Sequence, residues 1–207
     1  MKYGMLLDLN RCIDCGGCVM ACRLQNSTPR DIYWCKIYHK EVGEYPNARL
    51  RWIPRACMHC QNAPCVKTCP TGASYYDGKG RVLIDITKCI GCRSCVNSCP
   101  YAARHYNFVK PENDSYWEVD GYLTPYEKAR TVKEHVVGTT EKCTWCTDLV
   151  AAGHKPACVQ TCVGKARVFG DLDDPASELN EAIANKKART LHEEFGTQPN
   201  FFYAGSY

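Results

Sequence analysis

Four repeated runs of cysteine constrain this chain more than any other feature. Cys12, Cys15, Cys18 and Cys22 stand in "CIDCGGCVMAC", and Cys57, Cys60, Cys65 and Cys69 in "CMHCQNAPCVKTCP". Cys89, Cys92, Cys95 and Cys99 follow in "CIGCRSCVNSCP", then Cys143, Cys146, Cys158 and Cys162 in "CTWCTDLVAAGHKPACVQTC". Of the 17 cysteines only Cys35, in "IYWCKIY", stands outside these sets. A disulfide framework does not account for them. The count is odd, a chain of 207 residues needs few staples, and thiols two or three residues apart rarely reach disulfide geometry with each other. Thiolates clustered in this way read as metal ligands.

The sets are of two kinds. "LDLNRCIDCGGCVMAC" aligns without gaps on "IDITKCIGCRSCVNSC", sharing the aspartate, a basic residue before the first thiol and the valine after the third. The second and fourth sets resemble each other instead, as "APCVKTCPTGA" against "PACVQTCVGKA". The order along the chain is therefore A, B, A, B, which suggests two modules of one A and one B half each. "GMLLDL" and "RVLIDI" read as short strands entering a cysteine loop, and "DGKG" as the hairpin turn between "ASYY" and "RVLIDI". A short helix is expected just past the third thiol of each set, stopped by proline after Cys69 and Cys99; the fourth set has Val163 in that place and lacks this stop signal. Residues 175–189 read as one helix, with Asp174 as its N-cap, Pro175 in the first turn, and Leu179 and Ile183 on one face. The aromatic tail "TQPNFFYAGSY" is expected to dock.

The run C-x2-C-x2-C-x3-C-P is the iron–sulfur spacing of bacterial ferredoxins, in which the fourth cysteine ligates the other cluster. Three thiols two residues apart wrap three corners of one cube, and glycines such as Gly16, Gly17 and Gly91 let the backbone approach its sulfides. Zinc ribbons also use paired C-x2-C knuckles, but do not explain the third thiol of the A halves or the trailing x3-C of every set. Sets two and three lie close in the chain and are expected to pair, which leaves sets one and four to pair around them. The expected clusters are Cys12, Cys15, Cys18 with Cys162; Cys143, Cys146, Cys158 with Cys22; Cys57, Cys60, Cys65 with Cys99; and Cys89, Cys92, Cys95 with Cys69. The cofactor reading is thus four [4Fe–4S] clusters on an α+β fold of two nested ferredoxin-like modules. Residues 1–56 with 143–174 form one module and 57–102 the other; 103–142 are an insertion that contacts a partner subunit or packs on its own module, and 175–207 a C-terminal helix and tail.

Other residues take plainer readings. His59 and Trp145, between ligands, shield a cube; Arg93, Arg104, Lys155 and Lys165 offset its charge; Cys35 is a buried free thiol. The net charge of +4 would become roughly −4 with four clusters of on the order of −2 each, so the basic excess compensates a cofactor and does not indicate nucleic acid. No paired carboxylates, nucleophile elbow or phosphate loop suggests catalysis. "MKYGMLLDLNRC" carries no twin-arginine pair or apolar signal core, and no apolar run approaches the roughly 20 residues of a membrane span. A partner would have to carry the protein to a membrane.

The four sets in this order, the eleven residues between Cys146 and Cys158, "PACV", "FGDLDDP" and "GTQPNFFY" resemble the electron-transfer subunit of molybdopterin oxidoreductases of the dimethyl sulfoxide reductase superfamily. Within it the likeness is to the polysulfide, thiosulfate and arsenate reductase type, and residues 105–140 fit least well. The resemblance implies a relay between an integral-membrane, quinone-reactive partner and a molybdopterin catalytic subunit. The module of sets one and four would face the catalytic subunit and that of sets two and three the membrane partner. Cys92 stands where some relatives carry tryptophan and a three-iron cluster, so four four-iron clusters are expected. Such complexes often lie on the outer face of the cytoplasmic membrane by co-export with a signal-bearing partner; the cytoplasmic face is the alternative. A wire for a formate dehydrogenase or hydrogenase, and a zinc-binding interaction module, are the competing functions.

Overall fold

A computed structural model of the chain describes residues 1–29, 31–108 and 135–206. In chain order the elements are β1 (Tyr3–Asp8), α1 (Gly17–Asn26), β2 (Lys36–Val42), β3 (Arg49–Arg55), α2 (Pro64–Lys67), β4 (Ser74–Tyr76), β5 (Val82–Ile84) and α3 (Ser94–Asn97). They are followed by β6 (His105–Tyr106), β7 (Thr140–Glu141), α4 (Thr147–Ala151), α5 (Ala157–Gln160), β8 (Arg167–Asp171), α6 (Glu178–Asn185), β9 (Arg189–Thr190) and β10 (Phe201–Ala204). The architecture is α+β.

A four-stranded sheet in the order β8, β1, β10, β9 organises one side of the molecule. β1 is central: β8 runs antiparallel to it, with Met5 opposite Phe169, and β10 parallel, with Met5 opposite Phe201. Its five residues from Gly4 to Asp8 are all buried, which is why "GMLLD" is a continuous rather than an alternating apolar run. The aromatic tail "FFYA" thus lies within the sheet as β10, beside a strand that begins almost 200 residues earlier in the sequence. α6 packs on β8 and β1 through Leu179, which is fully buried.

Elements from distant cysteine sets pack on each other. α1 of the first set lies against α5 of the fourth, and α2 of the second against α3 of the third. The "DGKG" turn joins the antiparallel pair β4 and β5. One core runs through the sheet and the cysteine loops, including Met5, Leu7, Trp34, Met58, Val82, Trp145, Phe169 and Phe201 together with many of the thiols. The β2–β3 hairpin stands at its edge, half-buried to exposed apart from Pro54.

Three local expectations are corrected. The short helices start one residue before the third thiol, at Gly17, Pro64, Ser94 and Ala157, so that thiol sits in the first turn. α5 stops at Gln160 without a following proline, and the chain then passes close to Arg11 at Gly164, where a Cβ would lie 2.4 Å from the Arg11 carbonyl oxygen. α1, lacking a proline, continues past Cys22 to Asn26. The late helix covers only Glu178–Asn185, and its N-cap is Ser177, whose Oγ accepts from the Asn180 N–H at 3.2 Å. Asp174 instead closes the preceding turn, accepting from the Ala176 N–H. Most of the expected insertion, residues 109–134, lies outside the described residues. Its two ends are not loop: β6 pairs with β7, and Arg104, Asn107 and Thr139 through Lys142 are buried.

Candidate functional site: thiol-lined cavities

Each cysteine set begins with the same backbone device. The second residue after the first thiol adopts a left-handed conformation in all four: Asp14 at φ 56°, His59 at 45°, Gly91 at 67° and Trp145 at 53°. A side chain in this region costs about 1–2 kcal/mol, so three of the four loops hold strain that their surroundings must maintain. At the bend of the fourth set the Trp145 N–H donates to Cys143 Sγ at 3.4 Å. Past the fourth thiol of two sets, the Ala166 N–H donates to Cys162 Sγ at 3.2 Å and the Ser74 N–H to Cys69 Sγ at 3.5 Å. Oriented backbone donors of this kind stabilise anionic sulfur.

The thiols surround small cavities. Cys12, Cys15 and Cys18 of the first set and Cys162 of the fourth line the first. Cys143, Cys146 and Cys158 of the fourth set, with Cys22 of the first and with Cys35, line the second. Cys89, Cys92 and Cys95 of the third set and Cys69 of the second line another, the Cys89 cavity. Cys57, Cys60 and Cys65 of the second set lie with Cys99 of the third as a fourth group: burial, then repulsion by Cys57, Cys65 and Cys99, pushes the Cys60 thiol up to about 12. Among the described residues no three His, Cys, Asp or Glu side chains converge as they would on a single ion. Thiolates on one zinc would stand only ~3.8 Å apart, from a Zn–S distance of about 2.3 Å. The donor set fits a larger thiophilic group, held at four corners.

Burial sets the chemistry of these sulfurs. It pushes the thiols of Cys22 and Cys143 up, with neighbouring thiolates adding to the shift, and Cys158 to about 11 despite Arg167. Such thiols lose their protons only to a cation that replaces them together. Cys35, fully buried, keeps its proton and donates toward Cys18, whose thiol is held low by that contact and by Arg167. Cys35 therefore joins the wall of the second cavity beside a thiolate of the first.

Shared residues link the four groups one to the next. Arg167 lines both the first and second cavities. His59 and Trp145 pack against each other between the second cavity and the Cys57 group, their rings tilted by 38° with centroids 4.1 Å apart and both side chains buried. Arg104 donates to Cys65 Sγ at 3.0 Å and lines the Cys89 cavity. Cys15 at one end and Cys92 at the other are the two exposed thiols. Of the cations expected to offset charge, only Arg104 meets sulfur in a buried place. Lys155 is exposed and pairs with Glu178, Lys165 is exposed, and Arg93 lies exposed over the rings of Tyr106 and Phe108. Arg167 and the buried Lys142 escaped the reading of the sequence. Arg167 had a signal: it follows Cys162 by five residues, as Arg104 follows Cys99.

Comparison with known proteins agrees with this chemistry. A 4Fe-4S dicluster domain model matches residues 48–113 and 108–172, and a second 4Fe-4S dicluster model matches residues 11–73. The sequence is 38% identical to the arsenate respiratory reductase iron-sulfur subunit of Shewanella sp. strain ANA-3, over 100% of its own length and 97% of that protein's. It is 38% identical to a selenate reductase subunit of Mesobacillus selenatarsenatis, over 98% of its own length and 72% of the relative's. It is 35% identical to a polysulfide reductase chain of Wolinella succinogenes, over 97% and 93%.

Proposed function

Because this chain is a member of the family of iron–sulfur subunits of respiratory reductases, built on 4Fe-4S dicluster domains, we propose that its four cysteine sets hold four [4Fe–4S] clusters in one conducting row. The chain is an electron-transfer subunit and not itself a catalyst. One cluster takes Cys12, Cys15, Cys18 and Cys162; the next Cys143, Cys146, Cys158 and Cys22; the third Cys57, Cys60, Cys65 and Cys99; the last Cys89, Cys92, Cys95 and Cys69. On this reading residues 57–102 form a dicluster module nested inside the one made by 1–56 and 143–174. The observation that carries it is the cavity lined by three thiols of the first set and one thiol of the fourth, 144 residues further on in the sequence (162 − 18).

Bound in these sites, a [4Fe–4S] group supplies one-electron chemistry. The protein's own residues hold and order the sites. Cysteines shared between sets lock each pair of sites at a short separation, and the left-handed loops aim N–H groups at sulfur. The buried rings of His59 and Trp145 exclude water from the joint between modules. Exposed apolar side chains mark the ends of the row: Ile13 and Val163 near Cys15, Ile90 and Phe108 near Cys92. We assign the first end to a molybdopterin catalytic subunit and the second to a quinone-reactive membrane subunit. Among the described residues no helix is long and apolar enough to cross a membrane; in such a complex the chain sits peripherally, and we assign it to the extracytoplasmic face by co-export with a partner, with the cytoplasmic face as the alternative. Anaerobically purified protein should contain about sixteen irons per chain and equal labile sulfide. Cys162→Ser should alter the spin-resonance signal of the site formed by Cys12, Cys15 and Cys18 and leave the Cys143 site intact. A change confined to the Cys143 site would reject the shared-ligand scheme.

A further inference from the structure

Two arginines occupy equivalent positions in the row. Arg104 and Arg167 each follow the fourth thiol of a set by five residues, and each is buried, with 4% and 5% of its surface exposed. Among the described residues neither meets a carboxylate: the ion pairs of Asp8, Asp14, Asp77, Asp85 and Glu141 all go to other cations. A guanidinium removed from water with no anion beside it is very costly, so something else must balance these two.

The groups within reach are sulfurs. Arg167 directs Nη2 to Cys35 Sγ at 3.5 Å, and Nη1 to Met5 Sδ at 3.5 Å and Cys158 Sγ at 4.0 Å. Arg104 directs Nη2 to Cys65 Sγ at 3.0 Å and Nη1 to Ser74 Oγ at 2.8 Å. Each also borders two sites: Arg167 the first and second cavities, Arg104 the Cys57 group and the Cys89 cavity. A cation fixed beside a site favours whichever of its states is more negative, and a site that accepts an electron gains one negative charge. Hydrogen bonds to its sulfurs act in the same direction.

We propose that Arg104 and Arg167 are positioning residues that set the potentials of this relay, each buried guanidinium serving as the counter-cation shared by the two clusters of its module and holding both easier to reduce. The inference rests on the cluster assignment above, and predicts that potentials move in pairs. Arginine suits the task because its charge persists at every working pH and its fork reaches two sites at once.

The test is redox titration of the purified complex, followed by spin resonance, with signals assigned from ligand-cysteine variants. Arg167→Gln should disfavour reduction of the Cys12 and Cys143 sites by at least tenfold, about 59 mV for one electron, while the other two sites hold their wild-type values. Arg104→Gln should do the same to the Cys57 and Cys89 sites. The corresponding Lys variants, which keep the charge, should recover most of the shift. The proposal is overturned if the potentials stay put, if the shift falls in the other module, or if Lys and Gln shift them equally. Should a Gln variant fail to load its clusters, loading of the Lys variant near wild-type potential supports the counter-cation role. Failure of both overturns it in favour of a packing role. Wild-type protein without iron and sulfide would instead sink the cluster assignment itself.

Discussion

Gly91, between Cys89 and Cys92, offers the sharpest test of how the cysteine loops are held. Its φ of +67° is left-handed, and a Cβ built there would stand 1.9 Å from the carbonyl oxygen of Gly138. Real Cβ atoms essentially never come within 3.0 Å of such an atom, so the Gly91→Ala variant must move either the cysteine loop or the backbone at Gly138 by more than an ångström. Gly138 cannot yield freely, because its N–H donates to the Asn107 carbonyl and the chain continues directly into β7. The left-handed conformation costs about 1–2 kcal/mol for alanine, and forced overpacking adds about 1–3 kcal/mol, for a sum of roughly 2–5 kcal/mol. Gly72 provides the control, since it has the same φ of +67° but nothing within 4 Å of its would-be Cβ. Gly72→Ala should therefore cost only the conformational part. The assay is anaerobic guanidinium unfolding followed by loss of visible absorbance, with the iron content measured on the folded protein first. Gly91→Ala should unfold at clearly lower denaturant than Gly72→Ala and lose iron first from the Cys89 site. Equal midpoints for the two variants would refute the argument from close approach.

Trp145→Ala should cost about 3–5 kcal/mol, the usual range for deleting a buried aromatic side chain, because Trp145 is 1% exposed and touches both His59 and Phe169. In the same unfolding assay, a loss below ~1 kcal/mol would show that the two modules do not depend on this joint. Asp77→Asn tests the "DGKG" hairpin. Asp77 accepts from the N–H groups of Lys79 and Arg81 and from the Arg81 guanidinium at 2.5 Å. Burial opposes its ionisation, yet these donors outweigh it and hold the carboxyl below its ordinary value. A depressed carboxyl stabilises the fold above the unfolded value, about pH 4, and loses that stabilisation only as pH falls through the lower folded value. The variant should lose about 1.5–3 kcal/mol at pH 7, the range for charged hydrogen bonds, with the difference flat from pH 9 to pH 5. A difference that shrinks between pH 7 and pH 5, seen as converging midpoints, would contradict the depressed carboxyl.

Much of the local chemistry could be read from residues near one another in the chain. Spacing of two residues between thiols dictates a tight loop whatever surrounds it. The glycine at position 91, and the turn residues of "DGKG", announce backbone conformations that other side chains resist. The same reading missed what depends on the environment. Lys155 and Arg104 looked alike as cations near cysteines, yet one lies in solvent against Glu178 and the other is buried on Cys65. Asp174 was an apt N-cap by type, but Ser177 holds that role because the intervening residues are needed to close the turn after β8. Composition cannot separate such cases, since burial is a property of what packs on top.

Taken by itself, the amino-acid order determined the kind of ligand, its number of donors and the bend of each loop, because dihedral preferences and thiol spacing act over a few residues. Tertiary structure alone decided that Arg167 meets Cys35 across 132 positions of chain, that Trp34 donates to Glu141 across 107, and that the final aromatic residues run parallel to the first strand. Those outcomes depend on where charge and apolar surface can leave water together, and that is settled only when distant segments close on one another.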